Sequence, residues 1–174
     1  GMKIIIGDLS MKNASVTADI INGAGFDAIP FEMDISSRHS ILAIIAEARK
    51  YGEITRFVNA AGVSPSQAPI ETILKVDLYG TAVLLEEVGN VIAPGGTGVT
   101  ISSQSGHRMP VLTVEEDALL ATTPTERLLE LELLQPSNLR DTLHAYQMAK
   151  RCNVKRVMAE AVRWGKKELI SGNF

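Results

Sequence analysis

Tyr146 and Lys150 stand four residues apart, a spacing that on a helix puts both side chains on one face about 6 Å apart. A phenol titrates near pH 10 and is a poor acid or base at neutral pH, but a neighbouring ammonium favours the phenolate. Such a pair can pass a proton to or from a substrate oxygen, although the same spacing also occurs in plain surface pairs. Ser103 closes the run Ile101-Ser102-Ser103; its hydroxyl either hydrogen-bonds that same oxygen or forms a turn. Asp8 and Asp34 each end an apolar run, at the carboxyl edge where open α/β sheets bind ligands. An acid there accepts from a ribose 2′-hydroxyl and repels a 2′-phosphate, or it simply caps the next helix.

These groups need elements to hold them. Short apolar runs alternate with amphipathic stretches in the first half of the chain, the pattern of βαβ units and a parallel sheet. Strands are expected at Lys3 to Asp8, Phe26 to Met33, Arg56 to Val58 and Val99 to Ile101. Between them, helices are expected from Ala14 to Asn22, through Ile41, Ile44, Ile45 and Ala48 with Ser36 or Ser37 as cap, and from Ile70 to Ile92. Gly95, Gly96 and Gly98 read as a turn before the fourth strand. Segment 104–144 carries Pro110, Pro124 and Pro136 and a dense set of leucines, so it reads as one or two short helices packed against something. A further helix runs from Tyr146 to Lys166, with Cys152 as a small core residue and Trp164 as a packing anchor.

Composition narrows the partners. The 174 residues hold 17 basic and 20 acidic side chains, a net charge of -3, and 45% apolar residues, which describes one soluble globular domain. Lys and Arg are scattered, which argues against a nucleic-acid platform; the basic stretch from Lys150 to Lys167 reads as a solvated helix face. A lone cysteine excludes an internal disulfide and a thiolate metal site, and His39, His107 and His144 show no ligand spacing, so no metal is expected. With no apolar run long enough to span a bilayer and no signal-peptide layout, the expectation is a cytoplasmic protein without membrane contact.

Taken in order along the chain, Asp8, Asp34, Asn59-Ala60-Ala61-Gly62, Ser102-Ser103 and the Tyr146/Lys150 pair resemble the short-chain dehydrogenase/reductase family. The resemblance covers nearly the whole chain. It implies an α/β fold, a Rossmann-like doubly wound parallel sheet in three α/β/α layers, opening at the family's second strand. Neither GxGxxG nor TGxxxGxG occurs, so the first βα unit with its pyrophosphate loop lies outside these residues. The tail from Glu168 to Phe174 resembles the start of the family's final strand.

The resemblance also implies roles. Ser103 would polarise the substrate oxygen, Tyr146 would be the acid or base, and Lys150 would bind the nicotinamide ribose and depress the tyrosine pKa. Asp8 and Leu9 would border the adenosine ribose and select NAD over NADP, Asp34 and Ile35 would flank the adenine, and Asn59, Ala60, Ala61 and Gly62 would match the family's Asn-Asn-Ala-Gly motif. Asp77 takes the place of an asparagine that holds a water in the proton relay, adding a negative charge that opposes Lys150 and either reduces activity or shifts it to higher pH. The implied activity is NAD-linked oxidation or reduction of a secondary alcohol or ketone by a cytoplasmic homo-oligomer built on the helices from Ile70 and Tyr146. Segment 104–144 would be a substrate lid or a subunit contact. The alternative is a non-catalytic module that has lost cofactor binding.

Overall fold

The computed structural model describes the backbone of residues 1–171 and side chains through Lys166. A βαβ unit comes first: strand β1 (Lys3–Asp8), helix α1 (Met11–Gly23) and strand β2 (Asp27–Glu32), with the strands parallel and paired from Lys3↔Asp27 to Asp8↔Glu32. Ser10 caps α1 by accepting from Asn13 N. Asn22 staples its far end to β2, accepting from Ala28 N at 2.6 Å and donating to Ala28 O at 3.1 Å. Helix α2 (Arg38–Arg49) is capped by Ser37, one of the two serines read as candidates.

Strand β3 (Ile54–Asn59) pairs in parallel with β4 (Ile92–Thr100). Their register jumps from Ile54↔Ile92 to Arg56↔Thr97. The glycine turn expected before β4 is therefore a bulge inside a longer strand, with Gly95 at φ +74°, where an L side chain would be strained. The four strands hydrogen-bond as two separate pairs, β1–β2 and β3–β4, rather than as one sheet. Among the described residues neither β1 nor β3 has a partner on its second edge.

The helix expected from Ile70 to Ile92 is three pieces: α3 (Ile70–Ile73), a π-helical turn (Leu74–Gly80) and α4 (Thr81–Val91). Two contacts from other segments accompany the wide turn. Gly80 presses on Ile35, where an added Cβ would sit 2.6 Å from the carbonyl oxygen, and Asp77 is drawn inward to accept from Val63 N at 2.9 Å. Inserted π turns of this kind are frequent at functional sites.

Helix α5 (Val114–Thr122) opens with a Thr113/Glu116 capping box, and four short 3-10 turns complete segment 104–144. Helix α6 runs from Thr142 through Ser171. It starts a turn earlier than expected and occupies Glu168 to Ser171, where a strand was anticipated. No proline interrupts that stretch and no neighbouring strand edge claims it; Gly172 to Phe174 lie outside the described residues.

Two hydrophobic clusters organise the molecule. One joins Leu120, Leu128, Leu134 and Leu139 of segment 104–144 to Ala145, Met148, Ala149 and Cys152 of α6 and to Ile73 and Leu78. Of the leucines foreseen as too dense for water, Leu128 and Leu134 are buried within the chain and Leu129, Leu131 and Leu133 are partly buried against the same cluster; full burial of such a side chain is worth about 1.5–3 kcal/mol relative to exposure. The second cluster joins Ile41 and Ile45 of α2 to Val83, Leu84 and Val88 of α4, with Phe31, Phe57 and Trp164 packed against it. Trp164 is the anchor anticipated for it, its indole lying against Gly98 and donating to Glu160 at 3.0 Å. The α/β layering is Rossmann-like: α1 packs on β1–β2, while α2 and α4 lie with α6 in the other helical layer.

The basic stretch of α6 is not a solvated face. Arg151 and Lys155 both reach Asp117 of α5, at 2.6 and 2.8 Å, Arg156 donates to Thr123 O, and Arg163 donates to Glu86 O at 2.9 Å. Charge counting along the sequence could not see that α5 and α4 bring acceptors to these positions. No described helix is long and apolar enough to cross a membrane.

Candidate functional site

The strand ends gather the expected residues into two adjoining groups. At the carboxyl end of β1–β2, Met33 N donates to Asp8 O at 2.8 Å, which brings the Asp8-Leu9 and Asp34-Ile35 corners side by side. Asp8 Oδ1 accepts from Ser10 N at 2.8 Å, Oδ2 has no partner among the described residues, and Leu9 is exposed. Asp34 Oδ1 accepts from both the backbone and the hydroxyl of Ser36. Ile35 turns its side chain into the second cluster, so only its backbone faces this corner.

At the carboxyl end of β3–β4, buried Asn59 donates through Nδ2 to Thr81 Oγ1 at 3.1 Å and accepts at Oδ1 from Ala61 N. Ile101 N donates to Asn59 O at 2.9 Å, placing Ser102 and Ser103 beside the exposed turn Ala60-Ala61-Gly62. Ser102, not anticipated as a site residue, donates to Lys150 O at 3.1 Å and ties this corner to α6. Gly106 does the same by close approach: a Cβ there would lie 2.9 Å from the Lys150 carbonyl carbon. The only sequence signal for either was proximity to Ser103. Ser103 Oγ accepts from Ser105 N at 3.1 Å and is half-buried.

Lys150 is the hub. Its Nζ lies 5.3 Å from the Tyr146 ring centroid and 3.9 Å from Asp77 Oδ1, and the lysine and the aspartate are both buried. Asp77 Oδ2 has no hydrogen-bond partner. Burial pushes the Asp77 carboxyl above the ordinary range, opposed by the Lys150 charge and the Val63 N–H. Gly62 completes the corner because a Cβ there would meet Asp77 Oδ1 at 2.7 Å and Lys150 Nζ at 3.4 Å. The structure thus brings Tyr146, Lys150, Asp77 and Gly62 together from three separate segments, with Ser103 on the loop that Ser102 and Gly106 fasten to the same turn of α6.

Comparison with known proteins bears on the family and the fold. Residues 1–115 match a family model described as enoyl-(acyl carrier protein) reductase. The chain belongs to the short-chain dehydrogenase/reductase family. The family-model match ends before Tyr146 and Lys150, so it does not bear on their spacing. A short-chain dehydrogenase/reductase of Alternaria brassicicola is 31% identical over 96% of this chain and 61% of its own length. The structure of a 7α-hydroxysteroid dehydrogenase complexed with NADH and 7-oxo glycochenodeoxycholic acid superposes with a TM-score of 0.70 at 19% identity, covering 96% of this chain and 57% of that one. A dehydrogenase from Burkholderia cenocepacia with bound NADP gives 0.65 at 18% identity, covering 95% and 55%. This short-chain dehydrogenase/reductase chain therefore shares their Rossmann-like fold and spans a little over half their length.

Proposed function

We propose that this chain carries the proton-transfer half of an NAD(P)-dependent oxidoreductase that interconverts a secondary alcohol and a ketone. The observation that supports it best is the convergence of Tyr146, Lys150 and Asp77 beside the exposed Ala60-Ala61-Gly62 turn. The described residues fit a nicotinamide dinucleotide at its two ends. Asp8 offers a free carboxylate oxygen to a ribose hydroxyl next to exposed Leu9, and Asp34 with the backbone of Ile35 borders the same corner. Gly62 lets the exposed turn lie directly against Asp77 and Lys150, where any Cβ would collide. The carboxylate of Asp8 supports NAD over NADP, since a 2′-phosphate there would meet like charge.

When bound, the nicotinamide supplies or accepts the hydride. Tyr146 then holds or gives up the proton at the substrate oxygen, Ser103 hydrogen-bonds that oxygen, and the Lys150 ammonium favours the phenolate. Lys150 is held in place by burial, by its carbonyl bond from Ser102 and by Asp77. Segment 104–144 is read as a substrate lid or a subunit contact within one domain spanning 1–174, and the active form as a cytoplasmic homo-oligomer.

A second reading, a non-catalytic family-derived module, is favoured by the division of the strands into two pairs. Calorimetric titration with NAD+ followed by turnover assays on Tyr146→Phe separates the two. The enzyme reading expects saturable NAD+ binding and a loss of turnover of at least a hundredfold in Tyr146→Phe with NAD+ affinity retained. No NAD+ binding, or unchanged turnover in the variant, would establish the module instead.

A further inference from the structure

Where segment 104–144 meets the start of α6 it leaves a cleft of about 540 Å³, a volume typical of small-molecule sites. Its apolar walls are Met109, Val111, Leu112, Leu119, Leu133 and Met148. The chain does not seal them: Val111 is 96% exposed and Leu119 is exposed as well. Apolar walls left open to water mark binding surfaces, and the two flexible thioethers among them adapt to an irregular apolar guest.

This cleft is separate from the Tyr146–Lys150 corner. His144 and Met148 line it, and each stands two residues from Tyr146 along α6, which sets both about 200° around the helix from it. The buried face of α6, with Ala145, Ala149 and Cys152, lies between the two stripes. Ser103, Tyr146, Lys150 and Asp77 are all absent from the lining.

The ionisable side chains at the rim differ in what they have already bonded. Glu116 accepts from Thr113 N at 2.8 Å, and Glu132 accepts from Asn138 Nδ2 at 3.2 Å. His144 Nδ1 accepts from Arg140 N at 3.3 Å, so the imidazole is neutral and carries its proton on Nε2 as a donor. Burial, with the Arg140 charge adding to it and Asp141 opposing, holds this histidine below its ordinary pKa. Neither His144 Nε2 nor the Arg140 guanidinium has a partner among the described residues. The unspent groups at the rim are therefore donors. Two glutamates against one arginine nevertheless disfavour a guest with a negative head.

We propose that the cleft is a second small-molecule site, taking a neutral, largely apolar molecule that carries a hydrogen-bond acceptor such as an amide or ester carbonyl. The acceptor meets His144 Nε2 and Arg140, and the hydrocarbon lies along Met109, Leu119 and Met148. The site is independent of the oxidoreductase reading, because it uses no group of the Tyr146–Lys150 corner.

The test is an NMR titration of the chain, carbon-13 labelled at its methionine methyls, with N,N-dimethyldecanamide, which offers a carbonyl acceptor and no donor. Of the six methionines, Met109 and Met148 are expected to shift together and saturably, while Met2, Met11, Met33 and Met158 stay in place. Shifts spread over the exposed Met2, Met11 and Met158 would mean general adsorption and overturn the site. So would the absence of a saturable shift, including the case in which Met109 and Met148 move only with protein concentration, which would give the cleft to a second copy of the chain. Arg140→Met and His144→Phe are each expected to weaken binding about fivefold; unchanged affinity in both would overturn the acceptor role. Decanoate is expected to bind about fivefold more weakly than the amide, and tighter binding would overturn the neutral class. Saturating NAD+ and the Tyr146→Phe substitution are expected to leave amide binding unchanged. Loss of binding in either would make the cleft part of the catalytic corner and end this proposal, while the oxidoreductase reading would stand.

Discussion

The cluster around α6 and the cluster beneath the strands use the same aliphatic residues, but they are sealed to different degrees. Around α6, Leu120, Leu128 and Leu134 are almost wholly buried, and the segment that supplies them is closed by its own polar ties. Gln135 donates to Leu129 O and Leu131 O, Asn138 donates to Glu132 O, and Asp117 gathers Arg151 and Lys155. The strands are covered on one side only along β3–β4. Phe57 faces the helices, while Val58 and Val99 are 68% and 53% exposed on the other face. The site lies on the seam between these regions: Lys150 and Tyr146 belong to the sealed side, and Asn59 to Gly62 and Ser103 extend from the strand side. A helix thus carries Tyr146 and Lys150, and the open strand ends carry the exposed turn and Ser103.

The comparison can be broken most severely at the seam. Lys150→Met leaves Asp77 buried without its cation and is expected to cost about 3–5 kcal/mol in urea unfolding at neutral pH. Asp77's folded pKa lies above its unfolded value, so the native state binds the proton more readily than the unfolded chain. The cost of the carboxylate is therefore greatest above the folded pKa, and the deficit of the variant is expected to shrink as pH falls through it.

Next in size, Leu120→Ala or Leu128→Ala on the sealed side is expected to cost about 2–5 kcal/mol. Val99→Ala on the open face should stay within about 0.5 kcal/mol. Equal losses at the two places would show that the sheet face is as well packed as the α6 cluster.

Asp117→Asn tests the polar closure and is expected to cost about 1–3 kcal/mol at pH 7. Hydrogen bonding from Arg151, with Lys155 adding to it, holds the Asp117 carboxyl below its ordinary range despite some desolvation. That stabilisation is present above the unfolded pKa and is lost as pH falls through the folded one, so parent and variant should converge in acid.

A further modest effect is expected at a cap on the strand side. Ser37→Ala removes the acceptor for Ser40 N and should cost about 1 kcal/mol. Thermal unfolding at matched pH measures these changes.

The first two strands, the strand-end acids and the Tyr146/Lys150 pair were legible because each depends on neighbours close in sequence, whereas β4 begins earlier than its expected span and contains the glycine turn read as preceding it. A run of isoleucines ending at Asp8 specifies a buried strand, and four-residue spacing on a helix gives one face whatever surrounds it. The π-helical turn was not legible: Leu74 to Gly80 has an unbroken helical pattern, and its widening comes from Val63 and the Ile35 carbonyl, which are distant in sequence. The same is true of the α6 cations, whose acceptors come from α5, the turn after it and α4, and of Ser102 and Gly106, whose roles exist only against Lys150.

By itself, then, the sequence determined the α/β class, the family and the residue types of the candidate site, since periodicity, motif order and residue type are properties of the chain. Only the tertiary structure decided that the strands pair two by two, that segment 104–144 buries its leucines on α6, and that Asp77 stands behind Lys150 with one oxygen unpartnered. These depend on edges, contacts and desolvation between segments far apart along the chain, and such energies come into being only when folding brings the segments together.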